Sequence, residues 1–164
     1  KQVVQFRLDG FTFSRLKPYQ GWTDLRAAAR PLWDLYRTRT TPEGIRRVAV
    51  RFINLMEIPT GEQLEDFIAS PPQAPLGVGT RRTGFMQRIQ MEHIESSGSA
   101  VITHVMEPAK EAFKAPYWLD IDVFRAMDSQ LTDDEVWDLL DRLRAVKNDL
   151  FFSTITAKTR ESLE

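Results

Sequence analysis

Thr132 is followed three residues later by Glu135, and then by apolar side chains at Val136, Leu139, Leu140, Leu143, Val146 and Leu150. No other feature restricts the fold of this chain as much. A threonine hydroxyl accepts from the amide three residues on while the glutamate reaches back to the threonine amide, which fixes where a helix begins. Leu131 and Val136 stand where a hydrophobic staple would form, and Asp133 and Asp134 complement the positive end of the helix dipole. The spacing of three and four leaves one apolar stripe, which Phe151 and Ile155 can extend. Such a stripe has to lie lengthwise on another apolar surface.

The rest of the chain supplies strands for it to lie on. Val4, Phe6 and Leu8 alternate with Gln5 and Arg7, Asp9-Gly10 predicts a hairpin turn, and residues 11–16 run back. Residues 45–58 make the longest strand. Val48, Val50, Phe52, Met56 and Ile58 share one of its faces, Arg47, Ala49, Arg51 and Glu57 the other, and Pro59 stops it. Residues 84–95 and 100–106 read as a second hairpin around Ser96-Ser97-Gly98-Ser99. In residues 117–124, Tyr117, Leu119, Ile121 and Val123 oppose Trp118, Asp120, Asp122 and Phe124.

Two further helices are expected. Thr23 would cap one carrying Leu25, Ala28, Ala29, Leu32 and Tyr36, kinked near Ala27 by Pro31 and closed by residues 38–44. Thr60 with Gln63 predicts a short one ahead of Leu64, Phe67 and Ile68, and residues 70–79 follow as a loop. Hairpins dominate and strands do not alternate regularly with helices. The expectation is therefore an α+β fold forming one domain over residues 1–164. It has a mainly antiparallel sheet, with the long C-terminal helix and the kinked N-terminal helix packed on one face. A doubly wound nucleotide fold does not fit this order.

Composition narrows the function. Twenty-two basic and 23 acidic side chains give a net charge of −1, so no global field draws the chain to nucleic acid or anionic lipid. Arg81, Arg82 and Arg88 near Phe85, with Lys110 and Lys114 further on, form a basic-aromatic cluster too sparse for a nucleic-acid strip. The absence of cysteine excludes disulfides, thiolate metal sites and a cysteine nucleophile, and fits a reducing compartment. No apolar run is long enough for a membrane helix. Lys1 is not an initiator methionine and a strand begins almost at once, so the natural chain is expected to start earlier. There is no phosphate loop, dinucleotide fingerprint, zinc-protease helix or serine elbow, and Gly77-Val78-Gly79 alone does not make one. No cofactor is implied.

Several residues remain as candidates, each with a plain structural reading beside the functional one. Asp120 and Asp122 project from one strand face and could share a hard cation; alternatively they pair across the sheet with Arg47, Arg51 or Arg88. His93 and His104 meet if Gly98-Ser99 is the turn, and could then bind a transition metal with help from Glu92 or Glu95. They separate if Ser97-Gly98 is the turn, leaving two structural histidines. Asn54 falls on the apolar face between Phe52 and Met56, as a pocket group or as a fixed structural hydrogen bond. Lys147 and Asn148, beside Phe151-Phe152, could contact a phosphate or carboxylate. Otherwise Lys147 snorkels and Asn148 bonds locally.

Four segments together resemble a sporadically distributed family of uncharacterised bacterial proteins. They are Gly10-Phe11-Thr12-Phe13-Ser14-Arg15-Leu16 with Pro18, Tyr19 and Trp22; Arg51-Phe52-Ile53-Asn54 with Ile58-Pro59; Leu119-Asp120-Ile121-Asp122-Val123-Phe124; and Leu143-Arg144 with Lys147-Asn148, Phe151-Phe152 and Ile155-Thr156. The resemblance spans nearly all of the chain and implies an additional N-terminal α/β portion and a cytoplasmic bacterial protein. It implies no activity, cofactor or catalytic residue.

The leading expectation is a non-catalytic binding domain. Its partner would be another protein or the missing N-terminal portion of its own chain, engaged at a sheet edge or the charged face; a homo-oligomer is compatible with this. The enzyme alternative is metal-assisted phosphodiester or phosphate hydrolysis by Asp120 and Asp122, assisted by Arg51, Arg88 or a histidine. It is to be set aside if each aspartate is salt-bridged. A third reading is a small-ligand carrier with its pocket near Asn54, which a closed, packed interface there would oppose.

Overall fold

In the computed structural model, residues 1–73, 82–93, 98–109, 113–127 and 130–163 are described. The chain divides into two compact units, Lys1–Gly44 and Ile45–Glu164. It is an α+β protein whose strands all pair antiparallel.

In the first unit, strands β1 (Gln2–Arg7) and β2 (Gly10–Arg15) form a two-stranded sheet of their own, and helix α1 (Trp22–Thr40) packs on it. The hairpin turns one step earlier than Asp9-Gly10 suggests. Arg7 pairs with Gly10, so Leu8 and Asp9 make the turn and Leu8 is fully exposed. The aromatic side chains account for the shift, because this register sets Phe6 directly opposite Phe11 with ring centroids 5.7 Å apart. Both rings then reach Tyr36 at 5.8 Å, and Phe11 meets Trp33 edge-on at 5.7 Å. Ring contacts of this kind add about 0.5–1.5 kcal/mol each beyond their buried area, enough to override a local turn preference. Thr23 is not the helix cap. Gly21, at φ 133°, is the first flanking residue, and Thr23 lies in the first turn. Pro31 sits inside α1, and Thr41 closes it in the left-handed region, donating its amide to Arg37 O at 2.9 Å.

The second unit is built on a four-stranded sheet. Its strands are β3 (Arg47–Pro59), β4 (Phe85–His93), β5 (Gly98–Met106) and β6 (Lys114–Ala126), in the spatial order β3-β6-β5-β4. Alternation decides which face is covered. Val48, Val50, Met56, Ile58, Ala100, Ile102, Tyr117, Leu119, Ile121 and Val123 all point to one side and are buried. Helix α2 (Asp133–Thr154) lies on that side against β3 and β6. The capping box forms as the sequence implies: Glu135 N donates to Thr132 Oγ1, and Thr132 N donates to Glu135 Oε2. Val136, Leu139, Leu143 and Val146 are buried beneath the helix, joined by Trp137 and Lys147.

The short helix expected after Thr60 shrinks to a single 3-10 turn, Leu64–Asp66, and the Thr60 side chain does not cap it. The backbone that follows has a better partner. Ile68 bridges Ile155 antiparallel, Ala69 N donates to Thr154 O, and Thr156 N donates to Phe67 O. Thr156 and Thr159 hydroxyls bond the Asp66 and Phe67 carbonyls from the short helix α3 (Ala157–Glu161). These long-range bonds satisfy groups that a continued helix would have used.

Candidate functional site

The side of the four-stranded sheet opposite α2 carries most of the sequence-predicted residues. Register organises them into transverse rows, since directly paired residues point to the same face. One row is Ile53, Asp120, Thr103 and Arg88; the next is Arg51, Asp122, Val101 and Gln90.

Within these rows both aspartates are held by arginine. Arg51 grips Asp120 with two hydrogen bonds, Nε to Oδ1 at 2.9 Å and Nη2 to Oδ2 at 2.5 Å. Arg47 Nη2 donates to Asp122 Oδ2 at 2.8 Å while its guanidinium lies 4.2 Å from the Phe124 ring centre. Donating these hydrogen bonds to Asp120 raises the Arg51 pKa above its ordinary value. Two of the three arginines named as pairing partners from sequence therefore do pair. Arg88 does not, because Thr103 of β5 stands between it and Asp120. The other Asp122 oxygen is buried and receives no hydrogen bond among the described residues. No group of three or more metal-ligating side chains is present among them either.

A row that sequence reasoning overlooked lies beside the ion pairs. Leu55, Trp118, Val105 and Met86 stand side by side across all four strands. Met86 is 74% exposed, and Ile53 in the adjoining row is 58% exposed. Ile53, Leu55 and Trp118 were visible in the sequence as apolar residues out of phase with the buried face. Their adjacency was not, because it depends on strand order.

The covered face holds the other candidates. Asn54 donates its amide to Leu119 O at 3.0 Å, the residue directly opposite it on β6. This is the fixed hydrogen bond of the structural reading, and fully buried Tyr117, Leu119 and Ile121 line the same side of β6. A hollow of about 210 Å³ lies elsewhere, against Arg125, Met127, Leu131, Glu135, Leu139 and Arg142. Arg125 pairs with Val48, six residues along β3 from Asn54.

Lys147 does not snorkel. It is only 8% exposed, with its ammonium 4.1 Å from the Phe52 ring centre and 5.9 Å from that of Phe151. Burial, reinforced by the charge of Arg144, lowers its pKa to about 8. Asn148 is half-buried next to it.

The histidines are apart. Register sets His93 opposite Gly98 and His104 opposite Gln87, a spacing neither expected turn produces. Gly98 and Ser99 of the expected turn belong to β5, and Ser96 and Ser97 lie outside the described residues. His93 and Gln87 are six residues apart on β4, which separates the two rings by about 20 Å. His104 Nδ1 instead meets the Tyr117 hydroxyl at 2.6 Å in the core. Burial lowers the His104 pKa and raises that of Tyr117. Arg82 stacks over Phe85 and bonds Pro72 O, so it serves the fold; Arg81 and Lys110 lie outside the described residues.

Comparison of the chain with protein-family models, with curated proteins and with solved structures gives no match. The resemblance read from the sequence stays an expectation. No helix is long and apolar enough to cross a membrane among the described residues.

Proposed function

We propose that this chain is a non-catalytic binding domain whose open sheet face receives a protein partner, either a separate protein or a further segment of its own natural chain. The observation that supports it most is the apolar row Leu55, Trp118, Val105 and Met86, lying against the Arg51–Asp120 and Arg47–Asp122 pairs. An apolar strip bordered by oriented charges is how protein interfaces are composed, with the strip supplying burial and the charges fixing orientation. The absence of cysteine supports a cytoplasmic setting.

The hydrolase reading is set aside on the condition stated for it: each aspartate is engaged by an arginine. A cation would have to displace Arg51 from both Asp120 oxygens before reaching two carboxylates at once. The carrier reading gains no support from Asn54, whose amide is taken up by Leu119 O within the sheet.

Methionine oxidation tests the face directly. Met86 is exposed on the open side, while Met91 lies on the covered side of the same strand and is half-buried. With a partner recovered from the source organism and bound at saturation, oxidation of Met86 is expected to slow at least fivefold while Met91 is unchanged. Ile53→Asp should weaken that binding at least tenfold without unfolding the chain. Full Met86 reactivity in the complex, or unaltered binding by Ile53→Asp, would remove the open face as the site.

A further inference from the structure

Strand β4 is an edge of the four-stranded sheet, nine residues long and without proline. Its outer side has no hydrogen-bonded strand among the described residues. Arg88, Gln90 and Glu92 on its open-face side are all exposed, and Ile89 on the other side is 38% exposed. Edges of this kind are usually blunted by proline, bulges or inward charges, because they template pairing with another strand. Here the side chains specify which strand.

The geometry points to a homodimer in which β4 pairs antiparallel with β4 of a second copy about a two-fold axis through Gln90. That register sets Arg88 of each copy opposite Glu92 of the other, so one symmetric contact yields two cross-strand ion pairs. It also sets Ile89 opposite Met91 on the covered-face side, twice, and Gln90 opposite itself on the axis. A two-fold contact must be self-complementary in this way.

Neighbouring registers fail one by one. An axis at Arg88 or at Glu92 puts like charges face to face, which destabilises a strand pair. An axis at Ile89 sets Arg88 against Gln90 and Glu92 against Met86. An axis at Met91 sets Glu92 against Gln90 and Ile89 against His93. Registers shifted by one residue would turn the apolar side of one copy toward the polar side of the other. Only the Gln90 axis matches charge with charge and apolar with apolar. The product is a continuous eight-stranded antiparallel sheet whose open faces lie on one side, so it extends the surface proposed above and does not compete with it.

Charge exchange and a single thiol test this. Sedimentation of the full chain at low ionic strength should show a concentration-dependent dimer. Arg88→Glu alone and Glu92→Arg alone should each weaken it at least tenfold, since each places two like-charged pairs in its own dimer. Mixed in equal amounts, the two variants should recover the dimer as a heterodimer, because every pair is then opposite in sign. The chain has no native cysteine, so Gln90→Cys should oxidise to a covalent dimer, while Gln87→Cys, which faces His93 of the other copy, should not. A wild-type chain monomeric at all accessible concentrations would overturn the proposal. So would a dimer that both single variants retain, a mixture that fails to recover it, or Gln87→Cys linking as readily as Gln90→Cys. Binding at the open face can survive each of these failures, which keeps the two readings distinguishable.

Discussion

The two faces of the four-stranded sheet are made from the same strands by the same alternation, yet they do different things with their charged groups. Beneath α2, polar groups are few and enclosed: Asn54 bonds a neighbouring carbonyl, His104 meets Tyr117, and Lys147 sits between two phenylalanine rings. On the open side, Arg47 and Arg51 hold Asp122 and Asp120 in partial contact with water, and apolar side chains remain uncovered. The covered face should thus dominate stability, and the open face should be thermodynamically cheap to change and functionally sensitive.

The largest effect expected is from Leu143→Ala, which empties a fully buried site under the helix. It should cost about 2–5 kcal/mol, measured by urea unfolding. If the loss is below 1 kcal/mol, α2 does not hold the sheet as described.

Lys147→Met comes next and should stabilise. The Lys147 pKa falls from its ordinary 10.5 to about 8 in the fold. Between these values the unfolded chain binds the extra proton, so stability rises with pH across the window from about 8 to 10.5. Below pH 8 the full penalty is present. At pH 7 the variant should gain about 1–3 kcal/mol, after the lost ring contacts are offset. It should also flatten the alkaline rise expected of the parent.

His104 acts at the acid end. Its folded pKa lies below the ordinary 6.5, so the unfolded state takes up a proton first as pH falls. Stability should decline below about pH 6.5 and be level above it. His104→Gln should remove that acid-side slope while costing about 1–2 kcal/mol at pH 7.5 from the altered bond to Tyr117. Thermal unfolding across pH 5–8 reads both effects.

The smallest changes belong to the open face. Arg51→Ala and Ile53→Asp should each cost about 1 kcal/mol, the first because the Arg51 end of the pair it breaks is solvated, the second because the new carboxylate stands directly opposite Asp120. Should either destabilise as much as Leu143→Ala, the open face is structural and the contrast fails.

How far this was legible depended on the range of the interactions involved. The start of α2 is written in four consecutive positions, so Thr132 and Glu135 could be read directly. The buried faces of β3 and β6 followed from alternation within each strand. Lys147 carried a readable signal, because it falls on the stripe between Val146 and Leu150; its long aliphatic stem suggested a head in water instead. The hairpin turn at Leu8-Asp9 was not readable, since contacts between Phe6, Phe11 and Tyr36 choose it. Nor was the row from Leu55 to Met86, because strand order decides which residues become neighbours. Whether the two histidines meet hangs on the hairpin register, which the sequence left open between two turns and the structure sets at neither.

The spatial order also has a consequence for synthesis. β3 is made before β4, β5 and β6, but its hydrogen-bonded neighbour is β6. At ordinary elongation rates the ribosome needs about 3–13 s to advance from Pro59 to Ala126. During that time Val48, Val50, Met56 and Ile58 emerge with nowhere to dock. A nascent chain of this kind invites chaperone capture, and slowed translation between those two strands would lengthen its exposure to aggregation.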